Sequence, residues 1–170
     1  MIKVGDRLPE GTFRVKQDDD SVKEVAVADL FKGQNVVLVG VPGAFTSTCH
    51  KAHIPQFVTH ASEMKAHGVD RIVVMAVNDH HVMKMWGESL GGHGKIDFVA
   101  DGDAVYATAL GLAVKIPGMG TRVRRFSALV DDGVVKTLNF EPEGGKGIQV
   151  TGAEVILAQL ASAAVSVASP

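Results

Sequence analysis

The chain carries one cysteine, Cys49, at the end of Gly40-Val41-Pro42-Gly43-Ala44-Phe45-Thr46-Ser47-Thr48-Cys49. Before it a short valine-rich run is stopped by Pro and Gly; after it apolar residues recur at helical spacing. The cysteine therefore stands where a strand ends and a helix begins. Unpaired N–H groups and the positive end of the helix dipole favour an anion there. A thiol so placed ionises more easily, and the thiolate is the reactive form. The chemistry on offer is nucleophilic attack by sulfur. Arg122, Arg124 and Arg125 could form an anion site or a solvated strand end, and the sequence alone does not choose among them. A lone cysteine is also a small buried hydrophobe in many cores. A Cys–His acyl-transfer nucleophile needs a base within reach, which nothing in the sequence establishes. His50 and His53, or the adjacent His80 and His81, have no cysteine or carboxylate at ligand spacing, so no metal is expected.

The elements that must position Cys49 follow from pattern. Residues 13–15 and 22–27 flank the acidic turn at Asp18-Asp19-Asp20 and read as an N-terminal hairpin. Residues 35–41 and 72–77 are continuous apolar runs, hence central strands. Between them Ile54, Phe57, Val58, Ala61 and Met64 mark one helix from about 50 to 67, with Gly68 as its C-cap. Asn78 or Asp79 can cap a helix carrying Val82, Met83, Met85 and Trp86. Residues 98–100 read as a brief strand and 105–110 as a short helix ending at Gly111. Residues 112–120 read as a loop. Two strands, 126–130 and 134–140, meet at Asp131-Asp132-Gly133, a tight hairpin. A loop with Gly144, Gly145 and Gly147 precedes the capping-box pattern Thr151-Gly-Ala-Glu154 of a last helix. The tail after about 165 lacks side chains to anchor it. Neither Gly91-Gly92-His93-Gly94 nor Gly144-Gly145-Lys146-Gly147 has the strand–loop–helix context of a nucleotide cradle.

The alternation implies an α/β fold, and the closing hairpin makes its central sheet mixed. Setting aside the strand–helix insertion at 97–111, the order after the N-terminal hairpin is β-α-β-α-β-β-α, which resembles the thioredoxin fold. A single domain over residues 1–170 is expected from 170 residues with 46% hydrophobic content. A net charge of -2 gives no general attraction to nucleic acid or an anionic membrane. No apolar run approaches the roughly 18 residues of a membrane span. One thiol cannot form an internal disulfide, so a cytoplasmic location is the simpler expectation, or an organelle if a transit peptide precedes the chain.

Pro42-x-x-x-Thr46-x-x-Cys49 is similar to the active-site pattern of the peroxiredoxins. The longer string through His53-Ile54-Pro55 resembles their type II, peroxiredoxin-5-like branch, as do Val77-Asn78-Asp79, Met83-Lys84-x-Trp86, Ala100-Asp101-Gly102 and Arg124-Arg125-Phe126-Ser127. The resemblance runs from Val4 to about Leu160. It implies that Cys49 is the peroxidatic cysteine, that Thr46 hydrogen-bonds the thiolate and the peroxide, and that Pro42 shields the sulfur. It picks Arg125 among the three arginines, and places Phe45 and Trp86 in the pocket wall. His53 is expected as a structural hydrogen-bonder.

Three departures from that pattern stand out. Ser47 replaces a usual proline, His80-His81 a usual Pro-Phe, and Val74 occupies the position of a second cysteine in plant members. The implied activity is a thiol peroxidase acting on hydrogen peroxide and organic hydroperoxides. It needs no cofactor but requires an external thiol, glutathione with glutaredoxin ahead of thioredoxin. A homodimer is implied, with Phe45 and His81 at its surface. The non-enzymatic alternative is a redox sensor or partner-binding module switched by oxidation of Cys49.

Overall fold

The structure, a computed structural model, describes residues 1–141 and 147–168, with side chains to residue 163. The N-terminal hairpin is β1 (Thr12–Lys16) and β2 (Val22–Ala26), followed directly by a short helix, α1 (Val27–Phe31). Strand β3 (Asn35–Val41) has every residue after Asn35 buried, which fixes it in the sheet centre. Helical backbone begins at Ser47 and passes through a π-helical turn, Cys49–His53, into α2 (Ile54–Thr59) and α3 (Ala61–Ala66). Then come β4 (Arg71–Ala76), α4 (His80–Ser89), β5 (Asp97–Ala100) and α5 (Val105–Ala109). The chain closes with β6 (Ala113–Ile116), β7 (Gly120–Val123), β8 (Phe126–Asp131), β9 (Val134–Phe140) and α6 (Ala153–Ala168).

Seven strands form one mixed sheet in the order β2-β1-β5-β4-β3-β8-β9. Strands β3, β4 and β5 are parallel; the N-terminal hairpin and the β8–β9 hairpin extend the two edges antiparallel. Strand side chains alternate between faces, so β3 supplies two cores. Val36 and Leu38 pack with Phe31 of α1, Tyr106 of α5 and Phe126. Val37, Val39 and Val41 pack with Ile54, Phe57, Met64, Trp86 and Ile156 on the other side. Each fully buried Val, Leu or Ile contributes about 1.5–3 kcal/mol, which makes this slab the rigid floor on which the Cys49 turn is built.

Four sequence expectations change. The single helix over 50–67 is interrupted twice. Pro55 has no N–H to give the preceding turn and its ring crowds that turn's carbonyl; the wider π turn, in which Ile54 N–H reaches the Cys49 carbonyl, accommodates it. The second break is at His60 (φ -97°, ψ 9°). The segment read as a loop over 112–120 contains β6, which pairs antiparallel with β7 in a separate two-stranded sheet. Residue 27, read as the end of a strand, opens α1 instead. Finally, the capping box at Thr151 does not form. The Thr151 hydroxyl is buried and has no hydrogen-bond partner among the described residues, while the side chain of Gln56 accepts from Ala153 N–H at 3.2 Å. Thr151→Val should therefore raise stability by about 1 kcal/mol, because it removes a buried, unsatisfied hydroxyl; the urea midpoint measures it. Gly144 and Gly145 of the second glycine loop lie outside the described residues, as do the side chains on which anchoring of the tail after 165 depends.

Candidate active site

Cys49 sits at the second core, fully buried, on the first residue of the π turn. Three interactions shape the loop that leads to it. Asn78 Oδ1 accepts from Ala44 N–H at 2.9 Å, which leaves Asp79 as the N-cap of α4 through Val82 N–H, also at 2.9 Å. Arg122 Nη1 donates to the Val77 carbonyl at 3.1 Å and to the Pro42 carbonyl at 3.4 Å, while its Nε donates to Met119. The Thr46 hydroxyl donates to the Gly43 carbonyl at 2.7 Å. Phe45, at the loop tip, is held at φ 61°, a left-handed conformation that costs a bulky side chain on the order of 1–3 kcal/mol and clusters at functional sites.

The antiparallel register of β3 and β8 ends with Gly40 opposite Phe126. A Cβ on Gly40 would lie 2.1 Å from the Phe126 ring, so glycine there lets the ring cross β3. Arg125, one residue earlier, is delivered to the mouth of the Cys49 loop. Its Nη2 donates to Cys49 Sγ at 3.0 Å and its Nη1 to His53 Nδ1 at 2.7 Å. His53 Nε2 in turn donates to the Thr151 carbonyl at 2.8 Å. This fixes the tautomer: Nε2 carries the proton and Nδ1 is the acceptor. One guanidinium thus faces the sulfur with one N–H while a neutral histidine holds another.

His53 is driven to that neutral state. Burial lowers its pKa to about 4, the Arg125 cation pushes the same way, and the Thr151 bond and Glu141 oppose them less strongly. Between about pH 6.5 and pH 4 the unfolded chain takes up a proton here that the folded chain refuses. The resulting stability is complete above 6.5 and is lost as pH falls through that window, by on the order of 3 kcal/mol at its acid end. Urea midpoints across pH 4–7 should fall more steeply for the unaltered chain than for His53→Ala.

The expected site residues are placed as follows. Cys49 and Arg125 meet. Pro42 lies in the same loop, half-buried, with its carbonyl tied to Arg122. Thr46 departs from its expected donation to sulfur: a hydroxyl has one proton, and here the Gly43 carbonyl takes it, leaving its lone pairs to accept. Trp86 is fully buried and its Nε1–H donates to His50 Nδ1 at 3.0 Å. Phe45 stacks on His50 with ring centroids 5.4 Å apart, yet stays 52% exposed. Arg122 and Arg124 are not a solvated strand end: both are half-buried and bound to backbone carbonyls, Arg124 to that of Glu141 at 3.2 Å while lying over the Phe140 ring. The sequence reading missed the link from His53 to Arg125. The spacing of Cys49 and His53, four residues apart, places both on one helical face, but no local pattern points from there to Arg125.

A buried sulfur facing a fixed cation, in a loop at the end of a central strand, narrows the field, and likeness to known proteins decides it. The Redoxin family model matches residues 3–157. Peroxiredoxin-2C of Oryza sativa subsp. japonica is 44% identical over 161 residues, covering 94% of this chain and 98% of that one. The chain is a peroxiredoxin of the redoxin family. Among solved structures, reduced Prx3 of Vibrio vulnificus in complex with H2O2 superposes with a TM-score of 0.89 at 42% identity, covering 94% of this chain and 99% of that one. Peroxiredoxin 5 of Alvinella pompejana gives 0.83 at 27% identity, covering 95% and 99%. These matches establish the thioredoxin-like α/β fold with a mixed sheet and the type II relationship. As a peroxiredoxin, the protein is a thiol-dependent peroxidase. Relatives named as chloroplastic and mitochondrial also match, so the family does not fix a compartment.

Proposed function

We propose that this peroxiredoxin reduces hydrogen peroxide and organic hydroperoxides through Cys49 alone. The thiolate attacks one peroxide oxygen: an S–O bond forms and the O–O bond breaks. The departing oxygen leaves as water or an alcohol after taking up a proton, and Cys49 becomes a sulfenic acid. The observation that carries this reading is the Arg125 Nη2 to Cys49 Sγ distance of 3.0 Å. A guanidinium so placed stabilises the attacking anion and the charge that builds on the leaving oxygen. The Thr46 lone pairs can accept a hydrogen bond from the hydroperoxide O–H, and Pro42 covers the loop. Support for hydrogen peroxide as a substrate comes from the Vibrio vulnificus relative, whose complex holds it.

The second half-reaction uses two external thiols. The first condenses with the sulfenic acid, releasing water and leaving a mixed disulfide; the second releases Cys49 by thiol–disulfide exchange. Valine at position 74 and a single cysteine in the chain support this route, because this sequence offers no second thiol of its own. No cofactor enters either step. Glutathione with glutaredoxin is the reductant in this reading, and peroxide consumption with each reductant supplied separately tests it. Turnover with thioredoxin alone would reverse the choice, and a reaction that stops after one peroxide with every reductant would make Cys49 a sensor. The same reading includes a cytoplasmic location and a homodimer. Phe45 of the Cys49 loop and, on α4, His81 and Met85 are exposed, and in this reading they supply a surface for the latter. Phe45→Asp should shift the sedimentation coefficient toward the monomer.

A further inference from the structure

Arg125 donates one N–H to Cys49 and another to His53, and His53 is held by a backbone carbonyl in an irregular segment. That carbonyl, on Thr151, lies between two side-chain clamps. On one side the Glu141 carboxylate accepts from Val150 N–H at 3.0 and 3.1 Å, and from Gln149 N–H as well. On the other, Gln56 accepts from Ala153 N–H at 3.2 Å. Glu141 is 9% exposed and has no salt-bridge partner among the described residues. Burying a carboxylate is costly unless it is well bonded, and here its described bonds all go to the backbone next to Thr151. The backbone of Glu141 is itself tied to Arg124, the neighbour of Arg125, through Arg124 Nη2. The contacts close a ring: Cys49 to Arg125 to His53 to Thr151, then through Val150 to Glu141 and back to Arg124.

We infer that Glu141 is a positioning residue for the peroxidase reaction, fixing the Thr151 carbonyl so that His53 holds the Arg125 guanidinium on Cys49. Gln56 is its counterpart on the far side of Thr151. In Glu141→Gln an amide N–H2 replaces one of two acceptor oxygens and faces backbone N–H donors, so the clamp loosens. His53 then loses a fixed acceptor, and Arg125 loses the partner that keeps its second N–H on sulfur. The inference rests on Arg125 acting at Cys49, and its test separates the two claims.

The test is a double-mutant cycle read in the rate of peroxide reduction, with circular dichroism and unfolding midpoints recorded for each variant. Glu141→Gln should slow the reaction about tenfold, by analogy with the outer partners of metal ligands. His53→Ala should slow it at least as much. Because both act through the same guanidinium, the combined variant should be no slower than His53→Ala within about twofold; residues that act independently would multiply instead. A multiplied loss, or a Glu141→Gln rate within about twofold of the unaltered chain, overturns the inference. If Glu141→Gln does not fold, Gln56→Ala replaces it in the same cycle, with the same expectations. Arg125→Ala is run in parallel. A normal rate there defeats the reading of the site itself, whereas a slow Arg125→Ala beside a normal Glu141→Gln defeats only the present inference.

Discussion

Cys49→Ser should abolish peroxide turnover with every reductant while leaving the fold in place. Serine keeps an acceptor for Arg125 Nη2, which donates to Sγ at 3.0 Å in the unaltered chain, so the guanidinium is not left without a partner. The volume change is small, and a hydroxyl within reach of a cation is satisfied in a site that is otherwise closed. The unfolding midpoint should therefore move little. The chemistry does not survive, because an unactivated alcohol is not ionised at neutral pH and no base stands beside it. His53 is neutral, but its Nδ1 lone pair is already taken by Arg125. Peroxide loss, followed directly, measures the first half of this expectation and thermal unfolding the second.

Arg125→Ala should slow peroxide reduction on the order of 100- to 1,000-fold, the usual cost of removing one preorganised donor from a developing negative charge. Lowering a thiol's pKa also lowers its intrinsic nucleophilicity, so most of the acceleration must come from holding the oxygens and their charge. Arg125→Lys should recover only part of the loss. A single ammonium on a flexible stem cannot present two fixed N–H bonds, one to Sγ and one to His53 Nδ1. Arg122→Ala should be slower than the unaltered chain but far faster than Arg125→Ala. Its guanidinium holds the Pro42 and Val77 carbonyls, and among the described residues the hydrogen bond to Cys49 Sγ comes from Arg125. Rates measured at saturating reductant and varied peroxide distinguish the two arginines; equal losses would contradict their assignment.

Much of this architecture was legible because its signals are local. Strands β3 and β4 are continuous apolar runs because both their faces are covered, and the bounds expected for β3 coincide with those observed. The Asp131-Asp132-Gly133 hairpin was legible because Asp132 and Gly133 both adopt positive φ, 47° and 78°, which that pair tolerates. What stayed hidden depends on partners distant in sequence. The β6–β7 hairpin has a mostly exposed or half-exposed pattern and a Pro-Gly turn, so it lacks apolar alternation and looks like a loop. The start of α6 carries a capping-box pattern, but its cap comes from Gln56, 97 residues away. The site divides in the same way. Cys49 could be found from its own neighbours, whereas Arg125 was picked by resemblance. The geometric reason for that choice is the Gly40–Phe126 register, which no local pattern displays. His53 was expected to make a structural hydrogen bond and does, to Thr151; its grip on Arg125 spans 72 residues and was invisible.

The central claim is that the buried Cys49 sulfur, paired with Arg125, is the atom that takes oxygen from the peroxide. Mixing the reduced protein with one equivalent of hydrogen peroxide, without reductant, and weighing its peptides after a sulfenic-acid trap tests this directly. The expected result is a trapped sulfenic acid on the Cys49 peptide, forming far faster in the unaltered chain than in Arg125→Ala. Oxygen appearing on methionines while Cys49 remains a thiol, or equal rates in the two proteins, would contradict it.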